Sequence, residues 1–249
     1  MGQEGEAEDP LVFFESSCVR RRRDRMAVRV WLAQVADREV YVKHIRGPKN
    51  RPASEVGLID RLKWGLGGSR ALRVWRVHLA MTKAGLDVPK VLLAARRRGA
   101  TGAEDLLVTE AVHEPPLKQV LQQADAPERT AALARAGEAL AAMHRAGFVH
   151  GDPILANLLM SEKGGVVWLD NDRTRWLGLP PRIMRLRNVA SLTCRALVYC
   201  PWREVRGMLE MYRRVMELDP RRWRRELHRV VAVVRRWESR GKRKRLRHG

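Results

Sequence analysis

The stretch HRAGFVHGDPILANLLM, residues 144–160, places His150, Gly151 and Asp152 just after the end of a helical run, with Asn157 four intervening residues beyond Asp152. Phosphoryl transfer asks for little covalent help from protein. It needs a carboxylate to orient a hydroxyl and accept its proton, and oxygen donors to hold metal-bound phosphates in line. Asp152 suits the first role and Asn157 the second.

Working outward, VVWLDNDR at 166–173 is an apolar strand that delivers Asp170 some 18 positions after Asp152. A hard carboxylate there suits magnesium. Upstream, REVYVKHIR at 38–46 carries Lys43 on a strand otherwise made of Val40, Val42 and Ile45, where an ammonium group can pair with nucleotide phosphates. Each residue alone has a plain structural explanation: Lys43 as a surface strand lysine, Asp170 as a turn cap, His150 as a hydrogen-bonded packing residue. Together, the order Lys, Asp, Asn, Asp, each in the strand or loop the chemistry requires, predicts an α+β, protein-kinase-like bilobal fold with a small antiparallel-sheet N-lobe and a mostly helical C-lobe.

The flanking pattern fits that expectation. Leu11–Glu15, Met26–Ala33 and Arg38–His44 read as strands, as do Val88–Ala94 and Leu106–Glu110. Ser54–Trp64 and Ser69–Ala84 have helical spacing, with Ser54 and Ser69 as N-caps and Gly85 as a stop. The run from Pro127 to Arg145 puts Leu133, Ala136, Leu140 and Met143 on one helical face and ends at Gly147. Asn157–Met160 and Val166–Leu169, separated by Lys163, Gly164 and Gly165, read as a hairpin. Ile183–Tyr199, Glu204–Leu218 and Arg221–Trp237 are helical by pattern. The expected domains are an acidic disordered N-terminus (1–10), an N-lobe (11–112), a C-lobe (113–238) and a basic C-terminal tail (239–249).

The chain has 249 residues, 45% of them hydrophobic, which is a globular profile with ample core. No apolar run reaches the roughly 20 residues of a membrane span, and Met1–Pro10 lacks the apolar segment of a signal peptide, so a cytoplasmic location is expected. Cys18, Cys194 and Cys200 lack metal-site spacing and read as free thiols. A net charge of +21 predicts an anionic partner: nucleic acid, phospholipid headgroups or a phosphorylated substrate. The arginines at 20–23 and the basic residues from Arg235 to Arg247 are the densest clusters, and the tail suits an anionic membrane surface without insertion. A solvated tail is the alternative.

From about Met26 to Tyr212 the chain resembles the lipopolysaccharide core kinase family, RIO-like enzymes that phosphorylate Kdo or heptose. Four stretches carry the resemblance: VYVKHIR, SRALRVWRVHLAMTKAGLDVPKVLLA, HGDPILANLL, and VVWLDNDRTRW followed by RLRNVASLTCRAL. It implies ATP as donor and a lipopolysaccharide core sugar or lipid A precursor as acceptor. Lys43 would bind the nucleotide phosphates, Asp152 act as base, and Asn157 and Asp170 hold Mg2+. Adenine would hydrogen-bond to the backbone of Glu110 to Val112.

Gly151 stands where protein kinases carry an arginine that reads a phosphorylated loop, which favours a small-molecule or glycolipid acceptor. Three departures count against activity. Val74 occupies the place of the helix glutamate that pairs with the strand lysine, with Glu55 as a substitute. The phosphate-covering loop SSCVRRRRDR has no glycine, and Asn171 follows the metal aspartate in place of an apolar residue. A nucleotide-binding pseudokinase acting as an interaction module is therefore one alternative. A RIO-like protein kinase associated with RNA is another, suggested by the basic residues around Trp202, Trp223 and Trp237.

Overall fold

In the computed structural model of this chain, residues 26–48, 68–99 and 102–246 are described. The expected acidic N-terminus, the strand at Leu11–Glu15, Cys18, the loop SSCVRRRRDR and the helix at Ser54–Trp64 with Glu55 lie outside them. So do the side chains from residue 236 onward, including Trp237. The described residues form two compact units, the first made of those up to His78 together with those of Pro89–Val112, the second of Leu79–Val88 together with those from His113 onward.

The first unit is built on a four-stranded antiparallel sheet in the order β1-β2-β4-β3, comprising β1 (Met26–Val35), β2 (Arg38–Pro48), β3 (Val91–Gly99) and β4 (Gly102–Glu110). Alternation along β2 sends Val40 and Val42 to one face, where they pack with Trp31 and Val108. Lys43 goes to the other face and lies directly opposite Leu107 of β4.

Helix α1 (Arg70–Lys83) covers that second face: its Ala71 and Val74 pack on Leu107, with Val91 and Ala94 at the edge. Its start is held by Asp105 of β4, which accepts from Ser69 Oγ at 2.9 Å and from the Arg70 amide at 2.6 Å, while Ser69 Oγ accepts from the Leu72 amide at 3.1 Å.

Helices dominate the second unit: α2 (Leu117–Gln123), α3 (Ala126–Arg145), α4 (Arg182–Ala196), α5 (Trp202–Val215) and α6 (Pro220–Leu246). The α2 helix is absent from the sequence expectation, and α6 runs through residue 239, where the tail was expected to begin. Asp125 caps α3 by accepting from the Glu128 amide at 2.9 Å. Where α3 meets α5, a Cβ on Gly137 would collide with the Met208 carbonyl, so glycine allows the close approach.

After α3, Gly147 turns the chain at φ 89° into β5 (Phe148–Val149), which pairs with β8 (Arg175–Trp176). The expected hairpin forms from β6 (Leu158–Met160) and β7 (Val166–Trp168). Trp168 donates its amide to the Asp87 carbonyl at 2.9 Å, which ties the segment after α1 to this unit.

On α6, Trp223, Val230 and Val234 are buried, and the Trp223 ring lies 5.6 Å from that of Tyr212. Trp223 is thus a packing residue, as the apolar spacing of Leu227, Val230 and Val234 implies, whereas Trp202 is exposed.

Candidate active site

The candidate residues divide between the units: Lys43, Glu110 and Val112 in the first, Asp152, Asn157 and Asp170 in the second. In the first, Lys43 is half-buried on β2, between Val30 and Leu107. Glu110 ends β4. Its amide donates to the Lys90 carbonyl at 2.9 Å, and the next amide, Ala111, donates to the Glu39 carbonyl at 2.9 Å. The Glu110 carboxylate lies 3.4 Å from Arg38 and 3.8 Å from Lys90. Of these three consecutive amides, that of Val112 alone has no hydrogen bond among the described residues.

Val74, the residue in the expected glutamate position, is 2% exposed and enclosed by Ala71 and Leu107. It is a core residue of the α1–sheet contact. Its identity follows from that packing.

In the second unit the loop after β5 is fixed by its own hydrogen bonds. Asn157, at the end of the 3-10 turn Leu155–Asn157, donates through Nδ2 to the Asp152 carbonyl at 3.0 Å. The Asn157 carbonyl accepts from the Leu169 amide at 2.8 Å, which anchors the residue before Asp170 to the same loop. Asp152, Asn157 and Asp170 are thus joined through main-chain contacts. Asp170 itself has left-handed backbone geometry, φ 52° and ψ 49°, and is exposed. A non-glycine residue held in that region costs energy and recurs at functional sites.

His150 is the keystone beneath this loop. Its Nδ1 accepts from the Asp152 amide at 3.0 Å and its Nε2 donates to the Leu169 carbonyl at 3.0 Å, which fixes the neutral Nε2–H tautomer. Burial pushes its pKa down and outweighs the opposing carbonyl and carboxylate neighbours. His150 therefore joins the two candidate aspartate segments structurally, in accord with its packing alternative.

Asn171 also has a structural role. It is buried, donates to the Trp168 carbonyl at 2.9 Å and accepts from Thr174 Oγ1 at 3.0 Å, closing the turn Asn171–Arg173. A side-chain amide does here what an apolar residue cannot. Gly151 is explained by space: a Cβ there would meet the Arg173 main chain, with its carbonyl oxygen at 2.7 Å. The loop admits no arginine at that position.

Three residues of α4 bear on the site but carried no role in the sequence reading, although all lie in RLRNVASLTCRAL. Asn188 grips the main chain of His150, accepting from its amide at 3.1 Å and donating to its carbonyl at 2.9 Å. Ser191 donates to the Pro153 carbonyl at 3.3 Å. Arg195 brings Nη2 to 3.6 Å from Asp152 Oδ1. Behind them, buried His144 contacts Asn188 Oδ1 at 3.2 Å and the Tyr212 hydroxyl at 2.9 Å, and burial pushes its pKa down to about 4. Spacing of i, i+3 and i+7 on a helix is the only signal in the sequence that these three share a face.

This loop, a carboxylate in left-handed geometry after a hairpin, and the small sheet unit with its helix define a protein-kinase-like fold. Over 93% of this chain and 92% of the other, the structure superposes on that of WaaP in complex with acyl carrier protein, with a TM-score of 0.67 at 18% identity. It also matches the bifunctional kinase-methyltransferase WbdD over 87% of this chain and 50% of that one, with a TM-score of 0.51 at 16% identity.

The sequence pattern of the lipopolysaccharide kinase (Kdo/WaaP) family matches residues 54–212, and the chain belongs to that family. A 3-deoxy-D-manno-octulosonic acid kinase of Xanthomonas axonopodis pv. citri is 30% identical over 53% of this chain and 53% of its own. One of Vibrio parahaemolyticus serotype O3:K6 is 27% identical over 58% of this chain and 60% of its own. The chain thus spans little more than half the length of the curated relatives it matches.

Proposed function

We propose that this protein transfers the γ-phosphoryl group of ATP to a hydroxyl of a lipopolysaccharide core sugar, with a 3-deoxy-octulosonic acid residue as the favoured acceptor. The observation that carries the reading is the loop of residues 150–157 in a chain of this family: it fixes Asp152 beside Asn157 and ties both to the segment bearing Asp170.

In the proposed reaction the acceptor oxygen attacks the γ-phosphorus, its proton passes to the Asp152 carboxylate, and the bond to the β–γ bridging oxygen breaks to release ADP. Lys43 would pair with the donor phosphates. The Glu110 carbonyl and Val112 amide would meet adenine, and the absence of another partner for that amide among the described residues supports this assignment.

The donor set suits Mg2+. Asp170 supplies a carboxylate, and because Asn157 spends Nδ2 on the Asp152 carbonyl, its Oδ1 is left to face a cation. Magnesium keeps water and substrate phosphates and needs only one or two protein oxygens, so a larger carboxylate cage is not required. When bound, the ion would neutralise charge on the transferring phosphoryl group. We assign the sheet unit and the helical unit as the N- and C-lobes.

The test is transfer of label from ATP to lipid A carrying Kdo, with and without heptose, by wild type and Asp152→Ala. Label in the glycolipid that vanishes in the variant is expected. Magnesium-dependent ATP binding without transfer would replace this reading with that of a nucleotide-binding interaction module.

We also infer attachment to the inner face of the cytoplasmic membrane. Besides the basic tail, Trp176, Leu179 and Ile183 are 65%, 87% and 63% exposed within eight residues, flanked by exposed Arg173, Arg175 and Arg187. Apolar side chains ringed by cations suit an anionic leaflet, each nearby arginine contributing about 1 kcal/mol. Among the described residues no helix is long and apolar enough to cross a membrane. Vesicles containing phosphatidylglycerol should sediment the protein, and Leu179→Ser with Ile183→Ser should release it. Unchanged sedimentation would remove this strip from the contact, and loss of binding to an acidic acyl carrier protein instead would assign the strip to such a partner.

A further inference from the structure

One face of α4 is aimed at the loop that carries Asp152. Asn188 holds the main chain of His150, Ser191, three residues on, holds the carbonyl of Pro153, and Arg195, four further, reaches Asp152. The first two are buried and their hydrogen bonds are satisfied by the loop. Arg195 differs. Its Nη1 is spent, donating to the Ser191 carbonyl at 3.2 Å and to Ser191 Oγ at 2.5 Å. Its Nη2 stands 3.6 Å from Asp152 Oδ1, beyond hydrogen-bond length, and neither Nη2 nor Nε makes a hydrogen bond among the described residues.

This is not the arrangement of a finished structural ion pair. Both side chains are more than a third exposed, at 39% and 37%, so their attraction adds little to stability. What it provides is a guanidinium already oriented from behind by a buried serine, with the Nε–Nη2 edge of its planar fork unspent. That edge matches the two oxygens of a carboxylate or phosphate in bidentate fashion. Because Ser191 also binds Pro153, the guanidinium and Asp152 are positioned from the same loop, and an anion on Arg195 is held at a set reach from the candidate base.

We infer that Arg195 forms an anion subsite of the acceptor, binding the carboxylate of a sugar acid whose nearby hydroxyl is presented to Asp152. The inference rests on the phosphotransferase reading for the hydroxyl, but not for the anion. A carboxylate on the acceptor explains why a cation stands beside a group that must accept a proton: the bound anion draws the guanidinium charge to itself and leaves the Asp152 oxygens to the hydroxyl. The same fork chemistry could serve the γ-phosphate of the donor, and the experiment separates the two.

Wild type, Arg195→Gln and Arg195→Lys are compared for kcat/KM on Kdo-bearing lipid A and on the same acceptor with its carboxylate reduced to the alcohol, with the KM for ATP measured alongside. Wild type should prefer the acid on the order of 100-fold, as expected for a charge-assisted pair. Arg195→Gln should erase that preference without changing the KM for ATP, and Arg195→Lys should restore part of it. An equal fall on both acceptors, or a raised KM for ATP, overturns the inference.

Binding of free 3-deoxy-octulosonic acid and its reduced form, followed by NMR with wild type and Arg195→Gln, keeps this separate from the reaction. If no phosphate is transferred but the acid binds through Arg195, the subsite stands and the reaction does not. If phosphate is transferred and the acid binds no better than the alcohol, the reaction stands and the subsite falls.

Discussion

Val74 and Asp170 show how differently two residues of a candidate site respond to their surroundings. Read as a missing glutamate, Val74 invites Val74→Glu as a gain of activity, by supplying the expected helix carboxylate to the Lys43 side of the sheet. Its burial between Ala71 and Leu107 reverses that expectation. A carboxylate there would be stripped of water in an apolar contact, at a cost on the order of 3 kcal/mol. Val74→Glu should lower the thermal midpoint and leave transfer no higher than wild type; a rise in transfer at unchanged stability would restore the ion-pair account. Asp170 is exposed and bonded into the loop through its neighbours, so Asp170→Ala should fold normally and abolish the magnesium dependence of nucleotide binding. Calorimetric titration of ATP with and without magnesium checks this.

Among the elements, α4 has the most consequence, because it carries no candidate from the motif reading yet holds the loop that does. Asn188 satisfies both the amide and the carbonyl of buried His150. Asn188→Ala would orphan both groups, costing about 2–4 kcal/mol and loosening the Asp152 loop. The expected result is a fall in denaturation midpoint together with faster amide exchange at residues 150–152; retention of protection there would place the loop's rigidity elsewhere. The segment RLRNVASLTCRAL is plainly helical and half apolar by pattern, but a helical period alone does not say which polar residues face inward. That depends on what packs against the helix, and the packing partner is a loop far away in sequence.

Buried histidines link the site to the stability of the whole molecule. His144 is held neutral, its pKa pushed down by burial to about 4 from an ordinary 6.5, and His150 shifts in the same direction. Above about pH 6.5 both are neutral whether the chain is folded or not, and the fold loses nothing through them. As pH falls from 6.5 toward 4, the unfolded chain takes up protons that the folded one refuses. His144 alone should then remove about 3 kcal/mol of stability across that window. Chemical denaturation at pH 7.5 and pH 5 should show the loss, and His144→Gln should flatten it. An unchanged slope in the variant would assign the pH dependence to other groups.

The sequence alone was enough for the longer described elements, because hydrophobic period, the cap at Ser69 and the glycine stop at Gly147 are local signals that one stretch of chain carries by itself, and the candidates Lys43, Asp152, Asn157 and Asp170 were legible in it by their order. It also carried the resemblance, through motifs whose spacing is set by a loop and a hairpin. Short elements escaped it: α2 has seven residues, and the two-residue ladder of β5 with β8 has no period to detect. The reasons for Val74, Gly151 and Asn171 escaped it as well, and so did the loop-facing roles of Asn188, Ser191 and Arg195. Those were decided only by tertiary structure, since whether a residue is a lost catalytic partner or a well-packed core group depends on atoms contributed by distant parts of the chain. Chemistry at a motif is local in sequence, whereas the shape that permits it is not.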